Sequence, residues 1–406
     1  MTRDTIQQEI INLVQKSNRI ALQWCTGLGK SKAAIDIIQY LDNVRFLYTA
    51  KKSLNILLVV AETAHKLNWK KEFDKWGYPE DDVTTICYAS LKNFKDTKWD
   101  MIIFDEAHHL ASELRISMLN TIVADNILLL SATIDKAIMD DIEAVYGEFA
   151  VSKITLSDAI EWDILPKPKI YTIPLYLDNV VQNHEIVENL GKKPTTSIVC
   201  TFENRWKYLK HKDKYSNTKL IIKCTERQKY YYLSDQYDFW NRRFKKIRKE
   251  YAKNKWLQIG LERKRFLGDI KSKYVKILLD KLSDTRYICF CNNIEQVEYL
   301  GGENCIHSKK RNSIATIESF NNEEINHLFA VGMLQEGQNL HNIKAGIIVQ
   351  LDGTERSFIQ KFGRSMRAED PAQYIFYYPG TRDEEYLLKV LKDINPEYIE
   401  EYDLYN

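Results

Sequence analysis

No apolar run in the 406 residues approaches the roughly 20 needed to span a bilayer, so the sequence predicts no transmembrane segment. The N-terminal stretch MTRDTIQQEI lacks the apolar core of a secretory signal. Seven cysteines, an odd number, are scattered without metal-ligand spacing, and Cys289 and Cys291 are separated by one residue rather than two. This argues against a disulfide framework and a paired-cysteine metal site, and predicts reduced thiols in a cytoplasmic protein. A strong overall charge is missing as well, the net value being +2. Hydrophobic content of 44% and charged content of 28% are ordinary for a soluble globular chain, and the length suffices for two core domains plus an insertion.

The charge is nevertheless uneven. Residues 201–276 hold 23 Lys and Arg against 8 Asp and Glu, whereas the rest of the chain holds 35 against 48. A basic segment inside an acidic protein is an electrostatic footprint for a polyanion, or a helix with a solvated basic face. Tyr237, Trp240, Phe244, Ile247 and Tyr251 recur at intervals of three and four, which predicts one stripe of a helix. Arg242, Arg243, Lys245, Lys246, Arg248 and Lys249 lie largely off that stripe and are the candidate phosphate contacts. No base-reading motif accompanies them, so no sequence specificity is expected.

The chain is organised around residues 23–32, QWCTGLGKSK, between an apolar run and the helical spacing of Ala33, Ala34, Ile37, Ile38 and Leu41. Strand, Gly-Leu-Gly-Lys-Ser turn and helix form the layout of a phosphate-binding loop, although an ordinary strand–turn–helix corner uses glycines in the same way. In the first reading Gly27 and Gly29 let the backbone N–H groups of Thr26 to Ser31, with Leu28 between the glycines, point at phosphate oxygens. Lys30 reaches the terminal phosphates, and the Ser31 hydroxyl sits on a magnesium ion. The full pattern has a further glycine where Trp24 stands.

Apolar runs at 20–25, 55–61, 85–89, 101–104 and 127–130 predict buried strands of a parallel sheet covered by helices. Ligands on such sheets bind at the carboxyl ends of the strands. There the chain places Asp105-Glu106-Ala107-His108-His109 and, later, Ser131-Ala132-Thr133. Two adjacent carboxylates ending a buried strand are costly unless used. Beside a phosphate loop, Asp105 would hold magnesium, mostly through water, and Glu106 would polarise the attacking water.

TGLGKS, DEAH and SAT, in this order, resemble the first lobe of a superfamily 2 helicase of the DEAD/DEAH-box group, which does not require the glycine replaced by Trp24. Residues 57–77 look like that family's motif Ia, which touches the nucleic-acid backbone, with Glu62 a departure from the small residue or proline often found there. Residues 87–93 (CYASLKN) look like the stretch before the acidic box. Gln7 or Gln8 is a candidate for the adenine-reading glutamine. In the second half, NCIHSKKRN around His307 resembles the strand and turn after motif IV, and VGMLQEGQNL resembles motif V with Gly337, although Asn339 replaces an acidic residue. Gln360, Gly363, Arg364 and Arg367 form QxxGRxxR. On a helix Gln360, Arg364 and Arg367 share a face, from which arginines neutralise a transferring phosphate only when the second lobe closes on the first.

The resemblance implies an α/β fold of two RecA-like parallel-sheet lobes in tandem with a basic helical insert between them. The expected boundaries are 1–160 for the first lobe, 161–276 for linker and insert, 277–390 for the second lobe and 391–406 for an acidic tail. It implies ATP and Mg2+ as cofactors and an ATPase site of Lys30, Ser31, Asp105, Glu106, Gln360, Arg364 and Arg367. His108, Ser131, Thr133 and Gly337 are expected to couple nucleotide state to nucleic acid, DNA in the first place. Compact phage-type helicases are the nearest type. ERQKYYYL (226–233) and GLERKRFLG (260–268) add some likeness to Swi/Snf translocases, so duplex translocation without strand separation stands beside unwinding. The motor subunit of a restriction or defence complex, with its nuclease on another chain, and a nucleotide-gated clamp are the other readings, and a partner protein in a replication, recombination, repair or defence complex is in keeping with them.

Overall fold

The computed structural model describes residues 2–49, 53–332, 340–352, 355–365, 368 and 370–405. Its first lobe is a six-stranded, wholly parallel sheet built from β1 (Arg19–Trp24), β2 (Ile56–Val60), β3 (Val83–Cys87), β4 (Thr97–Asp105), β5 (Ile122–Ser131) and β6 (Ala150–Ile154), in the order β3-β2-β4-β5-β1-β6. The central strands are continuous aliphatic runs because helices cover both faces, and all five residues of β2 are fully buried. β1 lies between β5 and β6, and β4 beside β5, so Trp24, Asp105 and Ser131 end their strands on one edge of the sheet.

The chain then enters the second lobe earlier than expected. β7 (Lys169–Pro174) lies in the other large sheet, with β8 (His184–Asn189), β9 (Thr196–Thr201) and β10 (Thr218–Cys224) forming a separate three-stranded sheet. β11 (Tyr287–Phe290), β12 (Cys305–Ile306), β13 (His327–Ala330), β14 (Ala345–Ile348), β15 (Ala372–Tyr377) and β16 (Ile399–Glu401) complete a seven-stranded sheet ordered β12-β13-β11-β14-β15-β7-β16. Five of its strands fall in the expected range 277–390; β7 and β16 come from outside it. Pro174 is tolerated because β16 pairs only with Ile170 to Thr172, so the position lacking an N–H lies past the end of that partner.

The insert is therefore spliced into the second lobe after its first strand, not placed between the lobes. It is also not wholly helical. The sheet β8-β10-β9 precedes two long helices, Glu226–Ile247 and Glu250–Ile270, packed as a hairpin. Thr225 opens the first with a capping box to Gln228. Arg248, in the left-handed region at φ 48°, ends it, which places Tyr251 on the second helix and divides the predicted stripe. Tyr251 instead meets Trp240 across the turn, ring centroids 6.5 Å apart.

One apolar cluster includes Ile20, Leu22 and Leu28 of the first lobe together with Ile170, Phe358 and Phe362 of the second. No helix among the described residues is long and apolar enough to cross a membrane, and all seven cysteines are free.

Candidate functional site

The phosphate loop leaves β1 at Trp24 and runs into the helix Lys30–Thr49. Gly27 (φ 96°) and Gly29 (φ 85°) both take the left-handed backbone that a side chain resists, as the loop reading requires. The Cys25 amide donates to Ile154 O (3.0 Å), tying the loop to β6. Lys30 Nζ donates to Trp24 O at 3.0 Å, so its charge sits inside the loop's curve. Cys25 is buried beneath, its thiol pushed up to about 12 by desolvation against a smaller opposing pull from Lys30.

Asp105 ends β4. Its Oδ2 accepts from the Trp69 indole (2.8 Å), its Oδ1 from the Glu106 amide (3.1 Å), and its carbonyl from the Tyr88 hydroxyl (3.0 Å). Burial, and then the neighbouring Glu106 carboxylate, raise its carboxyl above the usual range, with Trp69, His65 and Lys30 acting in the opposite direction. Glu106 itself is held at φ 50°, left-handed for a residue with a Cβ. Such strain, of about 1–3 kcal/mol, persists where surrounding structure imposes it. The turn aims Glu106 at His108, with Oε2 3.4 Å from Nδ1. His108 Nδ1 also lies 3.2 Å from Ser131 Oγ, and that hydroxyl donates its only proton to Thr133 O at 2.8 Å. The ring N–H is then the donor to Ser131. Glu106, His108, Ser131 and Thr133 thus form a continuous polar chain from the acidic turn to the end of β5.

The helix Glu355–Ser365 brings Gln360 and Gly363 of the QxxGR pattern to this edge. A Cβ at Gly363 would lie 2.7 Å from Thr26 Cβ and 3.2 Å from Thr26 O, so the second-lobe helix rests directly on the phosphate loop. Gln360 is buried, and its Nε2 has no hydrogen-bond partner among the described residues. Lys361 Nζ lies 3.6 Å from Asp352, which also accepts from Ser357. Arg364 belongs to the same helix; its side chain, Arg367, Gly337 and Asn339 lie outside the described residues.

No group of three or more His, Cys, Asp and Glu among the described residues forms a protein cage for a metal. The residues present suit the hydrated magnesium of a nucleotide, which needs one or two protein oxygens and phosphates for the rest. Ser31 and Asp105 would supply those oxygens. The paired Asp105 and Glu106 carboxylates, crowded in a partly buried turn, are a donor set that a cation relieves, and the orphaned Gln360 Nε2 is a donor suited to a phosphate oxygen.

Away from this edge, Arg242, Arg243, Lys245, Lys246, Arg248 and Lys249 are all exposed around the tip of the helical hairpin. Arg243 stacks 5.3 Å from the Trp240 ring and donates to the Tyr251 hydroxyl at 3.4 Å. Phe244 and Trp256 stack at 5.9 Å beneath them. Sequence reasoning does not single out Trp69 and Tyr88 individually, although both stand in the stretches resembling motif Ia and the run before the acidic box.

Residues 270–369 match the helicase conserved C-terminal domain. Human DNA repair and recombination protein RAD54B is 25% identical over 202 residues, covering 43% of this chain and 21% of that protein, so the chain spans about a fifth of that relative's length. The helicase domain of Pyrococcus furiosus Hef superposes with a TM-score of 0.51 over 95% of this chain and 98% of that one at 15% identity, a likeness of fold. The second lobe thus contains a match to the helicase conserved C-terminal domain, and the two parallel-sheet lobes share the fold of a helicase domain.

Proposed function

We propose that this chain is an ATP-driven motor acting on DNA without sequence specificity, in which hydrolysis in the cleft between the lobes drives movement along the polymer or its unwinding. The observation that carries the reading is the close packing of Gly363, in the QxxGR helix, on Thr26 of the phosphate loop. A nucleotide on that loop therefore meets residues of both lobes, and its state biases how tightly they close. Mg2+·ATP, when bound, supplies the phosphoanhydride and a cation that offsets its charge. Lys30 would exchange Trp24 O for phosphate oxygens, the Ser31 hydroxyl would sit on the magnesium ion, and Asp105 would hold that ion mostly through water. Glu106 polarises the attacking water, while Gln360 positions it and Arg364 and Arg367 neutralise charge on the transferring group. His108, Ser131 and Thr133, with Gly337, carry the change towards the nucleic acid, which the basic hairpin holds by its phosphates.

A second reading, duplex translocation without strand separation, rests on the likeness of residues 226–233 and 260–268 to Swi/Snf translocases, and the DNA repair and recombination relative supports DNA as the polymer. A motor subunit of a restriction or defence complex, with the nuclease on another chain, is a third outcome that co-purification would reveal. Steady-state ATP hydrolysis measured alone and with single-stranded DNA, duplex DNA and RNA, with Lys30→Ala as the blank, tests the site and the motor reading together. Stimulation by DNA supports the motor, and a strong preference for duplex supports translocation. Hydrolysis retained in Lys30→Ala would overturn the site, and a rate indifferent to every polymer would leave a nucleotide-gated clamp.

A further inference from the structure

The helix Thr63–Trp76 lies in the segment whose sequence resembles a nucleic-acid-contacting motif, yet its buried face, His65, Trp69 and Phe73, turns towards the acidic box. We infer that Trp69 is a positioning residue of the ATPase site, whose indole N–H fixes the Asp105 carboxylate for the metal of a bound nucleotide. This rests on the reading of Asp105 as the magnesium-holding carboxylate and extends it to a residue outside the recognised nucleotide motifs.

Three observations support it. The Trp69 Nε1 to Asp105 Oδ2 distance of 2.8 Å is that of a charge-assisted hydrogen bond, and Oδ1 is taken by the Glu106 amide. One donor on each oxygen stops the carboxylate from rotating. Each oxygen has about two acceptor sites, so each keeps one for the waters of a magnesium ion. The donor is itself held in place. Trp69 packs on Phe73 and Phe73 on Tyr78, at centroid distances of 5.5 and 5.7 Å. The Tyr78 hydroxyl donates to Asp42 at 2.9 Å, on the helix that begins with Lys30. Lys32, two residues after Lys30, lies 4.7 Å from the Trp76 ring. The helix carrying Trp69 is thus fastened to the helix carrying the phosphate loop, and the distance from loop to carboxylate is set through it. Lastly, indole is a donor only and Asp105 is its one acceptor among the described residues, so a ring chosen for packing alone would need no nitrogen at this point.

The test separates the hydrogen bond from the packing. ADP binding is measured by calorimetry with and without Mg2+ in the full chain, in Trp69→Phe, which keeps a ring and loses the N–H, and in Trp69→His, which keeps an N–H and loses bulk. The Phe variant is expected to need about tenfold more Mg2+ for the same gain in ADP affinity, as loss of a partner to a metal ligand commonly requires. Metal-free ADP affinity should be unchanged, and the His variant should recover part of the loss. A wild-type Mg2+ requirement in Trp69→Phe overturns the inference. So does an equal fall in metal-free and metal-dependent affinity in both variants, which would mean packing. No Mg2+ effect in the unaltered chain would overturn the magnesium reading of Asp105 and this inference with it. Should the Phe variant not fold, the indole 15N–1H spectrum of the eight tryptophans decides. One indole signal must move both on Asp105→Asn and on Mg2+·ADP binding, and none moving under either overturns the assignment.

Discussion

At the scale of single residues, the site was legible where chemistry demands a residue type and opaque where packing does. The curled backbone at Gly27 and Gly29 could be read because two closely spaced glycines between a strand and a helix admit few other turns. The tight contact of Gly363 on Thr26 could not, since nothing local marks a glycine whose missing Cβ makes room for the other lobe. Gly363→Ala should therefore cut kcat about ten- to a hundredfold, the effect of displacing catalytic groups by about an ångström, while nucleotide affinity and the thermal midpoint change little. Steady-state kinetics beside a melting curve would check this, and unaltered kcat would mean that the lobes part at this contact during turnover. Cys25 gives a chemical check on the loop. With its thiol pushed up to about 12 by burial, almost none is thiolate at a pH of about 8, so iodoacetamide should leave it unlabelled in the native chain and react after denaturation. Peptide mapping reads both states, and rapid native labelling would show the loop to be open.

At the scale of elements, the long aliphatic strands of the first sheet announce themselves, whereas β8, β9 and β10 do not. Their outward residues are Glu185, Val187, Ser197, Val199 and Lys219, mixed in polarity and all exposed, and the buried residues between them are few. A half-exposed three-stranded sheet in a lysine-rich stretch reads as polar loop, and the basic composition masked it. The aromatic stripe was legible as a helix face, but its run to Tyr251 crosses the turn at Arg248. Helical spacing alone does not distinguish one long helix from two joined by a single left-handed residue, because basic residues populate both sides of the break. The hairpin that results gathers cations from the end of one helix, the turn and the start of the next. Reversing Lys245, Lys246, Arg248 and Lys249 to Glu should lower DNA affinity at least tenfold and reduce the slope of log affinity against log salt by several units, roughly one for each phosphate that is no longer neutralised. Basal ATP hydrolysis without DNA should persist, because these side chains are exposed on the hairpin and the proposed ATPase residues lie at the lobe edges. Binding measured across a salt series decides; an unchanged slope would make the hairpin tip a solvated surface.

At the scale of the molecule, the point hidden from the sequence is where the second lobe begins. β7 buries Ile170 and Ile173 on opposite faces of the sheet, but it stands among three prolines and reads as an extended linker, and only its pairing between β15 and β16 shows it to be sheet. The insert is consequently tethered at both ends to the second lobe, and DNA held by the hairpin would move with that lobe rather than with the first. The return junction is buried. Lys271, at the end of the hairpin, is fully enclosed, with Asp383 Oδ2 at 2.6 Å, Gln350 Oε1 at 2.9 Å and Phe376 O at 3.0 Å. Gln350 donates in turn to Asp383 Oδ1 at 2.6 Å. A second lobe cut as residues 277–405 would lose both anchors. Removing Lys271 strands a buried carboxylate at a cost of about 3–5 kcal/mol. Removing β7 and the residue after it takes away Ile170, Ile173 and Leu175, each worth about 1.5–3 kcal/mol when buried, together with the hydrogen-bond partner of both β15 and β16. The combined loss is comparable to the roughly 5–15 kcal/mol that holds a domain together. Fragment 277–405 should therefore fail to fold, whereas 165–405 should unfold cooperatively in urea with native-like circular dichroism. Equal cooperative transitions in the two would mean that the second lobe is complete without the strand and the lysine, and that the insert is free to move independently of it.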